Sequence, residues 1–215
     1  MVKVTALKVQ ARNRNRVNVY LDGEFAFGLA KIEAARLRVG QTLNEADLER
    51  LQQADTVETA FEKAIQFISY RSRSEAEVRQ NLKKKDVAED VIEGVLARLR
   101  RAGLVDDAGF ARSWVEARSA SKPKGKRALK VELRQKGVPQ KMIEKALTGV
   151  DDVAAARQLA SARAPRLKGL PERDFRRKLS EYLARRGIDY ETISEAVERA
   201  WREHGGDSNS TESED

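Results

Sequence analysis

Asp106 and Asp107 stand side by side in "GLVDDAGFARSW" (103–114), the only adjacent aspartates in the first 150 residues. Two neighbouring carboxylates can hold a divalent cation or share a proton, but aspartate is also among the best residues for closing the start of a helix. A second candidate lies just downstream. In "KPKGKRALKVELRQK" (122–136), Lys122, Lys124, Lys126, Arg127, Lys130, Arg134 and Lys136 face a single acid, Glu132. Lys126, Lys130 and Arg134 recur every four residues, which lines one side of a helix, and Gly125 lets the preceding loop approach a phosphate. Such a set fits phosphate or an acidic protein surface; the plain alternative is a solvated face. "RSR" at 71–73, with Arg71 and Arg73, and "RRKLSEYLARRG" at 176–187 repeat the bias more weakly.

The aspartate pair has an internal parallel. "VDDVAAAR" at 150–157 repeats "VDDAGFAR" at 105–112, with Asp151 and Asp152 in the matching places. Recurrence at one structural point favours scaffold over chemistry. The first turn of a helix has unpaired N–H groups and the positive end of the dipole, so a carboxylate there gains roughly 0.5–2 kcal/mol. The pair therefore reads as capping, with no metal and no catalytic role expected. An earlier stretch lacks it, having Thr59 and Ala60 instead, and Asp55 is the nearest cap candidate there. Ser74 with Glu77, and Asp189, read as further caps, and Pro139 suits a first helical turn.

The elements that must position these residues come in two kinds. "VKVTALKV" alternates apolar and polar residues, and "RVNVYLDGEFAFGL" resumes the alternation around Asp22-Gly23, a hairpin dipeptide. Two or three antiparallel strands follow from this. After Gly28 the pattern turns helical as far as Gly40, and Asn44 before Asp47 starts another helix. From residue 55 onward only helical patterning remains, and it repeats every 50 or 51 residues. Leu82, Leu133 and Leu183 coincide, as do Val87, Val138 and Ile188, and Ile92, Ile143 and Ile193. Each copy reads as helix, turn, helix, with Gly137 and Gly187 in turns where the first copy has Asp86. An apolar stripe precedes each pair: Ala64, Phe67, Ile68; then Ala111, Trp114, Val115; then Ala156, Leu159, Ala160. The expected fold is mainly α: a small α+β module with a β-hairpin (1–54), then three tandem three-helix repeats (55–105, 106–150 and 151–204), then a disordered acidic tail (205–215). Stacked units of this size bury part of their stripes against one another and make an elongated, curved body. Trp114, Phe61, Phe67 and Phe110 fall on or beside the stripes and read as core.

Composition narrows the chemistry. The chain has no cysteine, and its one histidine, His204, adjoins a Gly-Gly pair. Thiol nucleophiles, Cys-ligated zinc, and sites needing two imidazoles are excluded. The phosphate-handling signatures GxxxxGK[ST] and GxGxxG are absent, and so is HExxH. No stretch approaches the roughly 20 apolar residues that span a bilayer, and no leader is evident, so a cytoplasmic protein is expected. The formal charge is +8; the tail holds four acids and no base, so residues 1–204 carry +12. That body attracts polyanions or acidic protein surfaces.

In their order and spacing, "GLVDDAGFA" (103–111), "GKRALKVELRQKG" (125–137), "RRGI" (185–188), the three helical units and "VNVYLDGEFAFGL" (17–29) resemble the RecX family of recombination regulators. The resemblance runs from about residue 3 to 203. Departures are Asp86 in place of a turn glycine, the long loop before Asp174, and the acidic tail. The resemblance implies a protein without catalysis or cofactor that binds RecA and RecA-DNA filaments, restraining ATP hydrolysis, strand exchange and filament growth in recombination and repair. It implies weak, non-specific DNA contact, no membrane, and a monomer. The binding candidates are the basic residues of 122–136 with Arg71 and Arg73. The alternatives are an independent DNA-binding protein using one helix pair as a helix-turn-helix and, from the residues alone, an enzyme.

Overall fold

The computed structural model describes residues 1–121 and 123–204. Lys122 and the tail expected to be disordered (205–215) lie outside them. Residues 1–73 with 77–105 form one compact unit, and residues 74–76 with the chain from Asp106 form a second.

In the first unit, strands β1 (Val2–Val9), β2 (Arg16–Leu21), β3 (Glu24–Ala30) and β4 (Thr42–Leu43) make an antiparallel sheet in the order β3-β2-β1-β4. The β2–β3 hairpin turns on Asp22 (φ 49°) and Gly23 (φ 95°), the two positive φ values that a type I′ turn requires. β4 is an addition to the two or three strands expected; two residues are too short for alternation to register. The helical pattern expected after Gly28 shrinks to α1 (Lys31–Ala34), because β3 carries the chain to Ala30. Helix α2 (Glu45–Ser69) opens on a reciprocal cap, Asn44 accepting from the Asp47 N–H and Asp47 from the Asn44 N–H. It runs unbroken through residues 54 and 55, where a module boundary was expected. Asp55 is consequently no helix cap: it sits mid-helix, takes both Arg16 Nη atoms at 2.9 and 3.0 Å, and accepts the Ala30 N–H at 2.6 Å, tying sheet to helix.

α2 doubles as the first helix of the first repeat, followed by α3 (Glu75–Lys83) and α4 (Glu89–Arg101). The second unit holds α5 (Asp107–Ser121), α6 (Lys126–Gln135) and α7 (Gln140–Leu147), then α8 (Asp152–Arg163), a 3-10 turn (Ala164–Leu167), α9 (Glu172–Arg185) and α10 (Tyr190–His204). Each three-helix set closes its own apolar cluster. Val78, Leu82, Ile92 and Leu96 centre the first; Phe110, Leu129, Leu133 and Ile143 the second; Phe175, Leu179, Leu183 and Val197 the third. Leu82, Leu133 and Leu183 are fully buried at matching positions, a burial worth roughly 2–3 kcal/mol for each side chain. Phe110 lies within its cluster, while Phe61, Phe67 and Trp114 pack against theirs. Each unit thus buries most of its stripe in a core of its own.

The long loop before Asp174 is partly helical. α9 begins at Glu172 behind Pro171, one turn earlier in the repeat than α6 does behind Gly125. The residue matching Gly125 is Phe175, fully buried and edge-on to Trp201 with ring centroids 5.2 Å apart.

Candidate functional site

The aspartate pairs cap helices, by a division of labour that the sequence did not reveal. Asp106 accepts from the Ala108 N–H of its own helix at 2.9 Å, and Asp151 from the Val153 and Ala154 N–H groups. The second aspartate of each pair reaches to another helix start. Asp107 accepts the Glu75 N–H and Asp152 the Lys126 N–H, both at 2.8 Å. Burial raises the pKa of both above the usual aspartate value, and the backbone N–H that each accepts works the other way. Matching contacts reinforce the join: the Ser74 hydroxyl donates to Lys136 O, and the Gly125 N–H to Arg186 O. Gly137 (φ 73°) and Gly187 (φ 82°) turn the chain there, and a Cβ on either would overlap Ala76 or Ala128. Asp86 takes the same left-handed conformation at φ 56°. Aspartate tolerates it.

The described cations of 123–136 divide into two groups. Glu132 gathers one: Trp114 Nε1 donates to it at 2.8 Å and Arg118 Nε at 3.1 Å, and Lys124 Nζ closes the set. Burial alone would raise the Glu132 pKa, but the hydrogen bonds from Lys124 and Trp114, with the charges of Lys124 and Arg118, hold it below the usual glutamate range. Lys124 is therefore a neutralised anchor for the loop. Lys136 stands over the Trp114 ring, 5.3 Å from its centroid.

The other group stays open. Among the described residues, Lys126, Arg127 and Lys130 make no ion pair; Lys126 and Arg127 are exposed and Lys130 is half-buried on α6. Arg134 also lies on α6, exposed, and donates to the neutral amide oxygen of Gln140 at 3.0 and 3.1 Å. On the equivalent helices most cations meet internal acids, Arg173 and Lys178 of α9 excepted. On α3, Arg79 pairs with Glu89 and Glu93, and Lys83 with Glu89 at 2.9 Å. These bonds hold both glutamates below the usual range, Glu89 through Lys83 first and Glu93 through Arg79. On α9, Arg176 pairs with Glu172 and Glu198 and Arg177 with Asp174 and Glu181.

The decisive difference is one residue. Gln140 occupies the place of Glu89, so where Lys83 meets a carboxylate in the first repeat, Arg134 meets a neutral amide oxygen in the second. Comparing the starts of α4 and α7 exposes that substitution in the sequence; its partner became visible only in the fold. Arg71 and Arg73 belong to the first compact unit and are engaged there, Arg71 with Glu77 at 2.9 Å and Arg73 over the Phe67 ring at 4.0 Å. Among the described residues, no cluster of three or more His, Cys, Asp or Glu is arranged to hold a metal, and no helix is long and apolar enough to cross a membrane.

Four domain families match the chain in order. They are the Regulatory protein RecX N-terminal domain at residues 2–44 and the first, second and third three-helix domains of RecX at 60–99, 106–147 and 150–197. The chain is similar to "Regulatory protein RecX" of Bacillus licheniformis, with 34% identity covering 92% of this chain and 77% of the relative. It is 32% identical to the protein of that name from Limosilactobacillus reuteri, again covering 92% and 77%. Among solved structures, a crystal structure of regulatory protein RecX matches with a TM-score of 0.78 and 28% identity over 92% of this chain and all of that one. RecX from Lactobacillus salivarius matches with a TM-score of 0.63 and 27% identity, over 68% of this chain and 97% of that one.

Proposed function

This chain belongs to the RecX family of regulatory proteins, and from that premise we propose that it binds RecA and RecA-DNA filaments. Bound there, it restrains ATP hydrolysis, strand exchange and filament growth without performing catalysis of its own. The observation that carries the reading is the α6 face. Lys126, Arg127, Lys130 and Arg134 hold their charge on one short helix, while the cations of α3 and α9 described above are neutralised by internal acids. A filament of protein on DNA offers phosphates and carboxylates together, and a face whose side chains make no internal ion pair gains from either.

The test is RecA ATPase on single-stranded DNA with increasing amounts of the protein, alongside co-sedimentation with the filament. Hydrolysis should fall and the protein should pellet with the filament. No effect on either at any ratio overturns the proposal. A footprint on a defined duplex sequence without RecA would replace it with an independent DNA-binding role.

A further inference from the structure

α6, the helix that carries the open basic face, supplies no side-chain cap of its own. Its N-cap is Gly125, and its first turn contains no acid. The Lys126 N–H is satisfied instead by Asp152 from the next repeat, beside the bond from the Gly125 N–H to Arg186 O. Gly125 must also remain glycine, because a Cβ there would overlap the Gly187 backbone. The opening turn of α6 is thus held from outside, and that turn bears Lys126 and Arg127.

We infer that Asp152 is a positioning residue for the anion-binding face, fixing the first turn of α6 so that Lys126 and Arg127 line up with Lys130. Without the bond, the first turn frays and those two charges are spread over many orientations, so each contact with an anion must first restore order. The inference rests on the reading of α6 as the binding face. Charge alone argues in the other direction: Asp152 is an acid beside Lys126, so removing it raises the local positive potential and by itself strengthens anion binding. The two effects are separable. Asp152→Asn keeps an oxygen that accepts the N–H but removes the charge; Asp152→Ala removes both.

The experiment compares wild type, Asp152→Asn, Asp152→Ala and a Lys126→Glu/Arg127→Glu/Lys130→Glu triple variant, using co-sedimentation with RecA–single-stranded DNA filaments and the salt needed to elute each protein from heparin. Asp107→Ala is the matched control: it deletes the equivalent cap on Glu75 N–H, before a helix whose Arg79 and Lys83 are already paired. Asp152→Asn should bind at least as well as wild type. Asp152→Ala should bind about fivefold more weakly, the factor that losing a cap of ordinary strength produces. Asp107→Ala should lose a similar amount of stability in urea and keep its binding. If Asp152→Ala binds as well as Asp152→Asn, Asp152 is only a counterion and the inference is overturned. Equal weakening by Asp107→Ala and Asp152→Ala overturns it too, since the effect would then be general loss of structure. If the triple variant binds both probes like wild type, the basic face itself is the wrong site; if only the filament arm is flat throughout, the fault lies in the RecA proposal.

Discussion

Glu132, Gly187 and Asp86 show how environment decides what a common residue does. Glu132 keeps its charge because Lys124, Trp114 and Arg118 converge on it. Its folded pKa is depressed, so the stability it contributes is fully present above the ordinary glutamate value of 4.5 and is lost as pH falls through the lower folded value. Glu132→Gln should therefore cost about 1–3 kcal/mol at neutral pH, and the gap from wild type should close in thermal melts as the buffer is taken below 4.5. Gly187 and Asp86 share a left-handed backbone and differ in surroundings. Asp86→Ala should cost only the backbone penalty of about 1 kcal/mol. Gly187→Ala should cost clearly more, because its new Cβ would overlap Ala128, and paired urea titrations would show the difference. The sequence made the turns at Asp86, Gly137 and Gly187 legible, and even flagged Asp86 as the odd one. It could not show what each turn lies against, because Ala76 and Ala128 are about 60 residues away along the chain.

At the scale of elements, α3, α6 and α9 share a register and an apolar face. Although Asp152 lies beside Lys126, the cations Lys126, Arg127, Lys130 and Arg134 of α6 make no side-chain ion pair among the described residues. Gln140 is responsible for part of that. Gln140→Glu should give Arg134 the acid that Glu89 gives Lys83, weakening filament co-sedimentation and lowering the salt needed for elution from heparin. The stability change should stay within about 1 kcal/mol, since a surface pair contributes little and repulsion from Glu144, four residues on, opposes it. A rise in heparin affinity would contradict this account of the face. Helix positions were legible from the apolar spacing because the period of 3.6 survives any solvent-side substitution. Ion pairing was not legible: Lys124 and Lys126 look alike in "KPKGKRALK", and only the fold brings one to Glu132 and leaves the other open. Lys124 stands among the binding candidates read from the sequence; in the fold its Nζ meets Glu132, so its replacement would also remove a partner of that carboxylate.

At the scale of the molecule, the sequence conveyed the mainly helical fold and the threefold repetition, because three aligned apolar patterns are long-range information written locally. It missed the continuity of α2 across the expected module boundary, since a helix that serves two cores shows no break in periodicity. It also missed how the second and third repeats are joined, through a carboxylate on a helix start and backbone brought against backbone. Such a join has a polarity, as a plug and socket do. The socket is the bare opening of a second helix, and the plug is an aspartate with a glycine turn. In the third repeat α9 begins a turn early, and the residue at the position of Gly125 is Phe175, buried in that repeat's own core against Trp201. The contact that joins the second repeat to the third therefore has no counterpart at the start of α9 among the described residues.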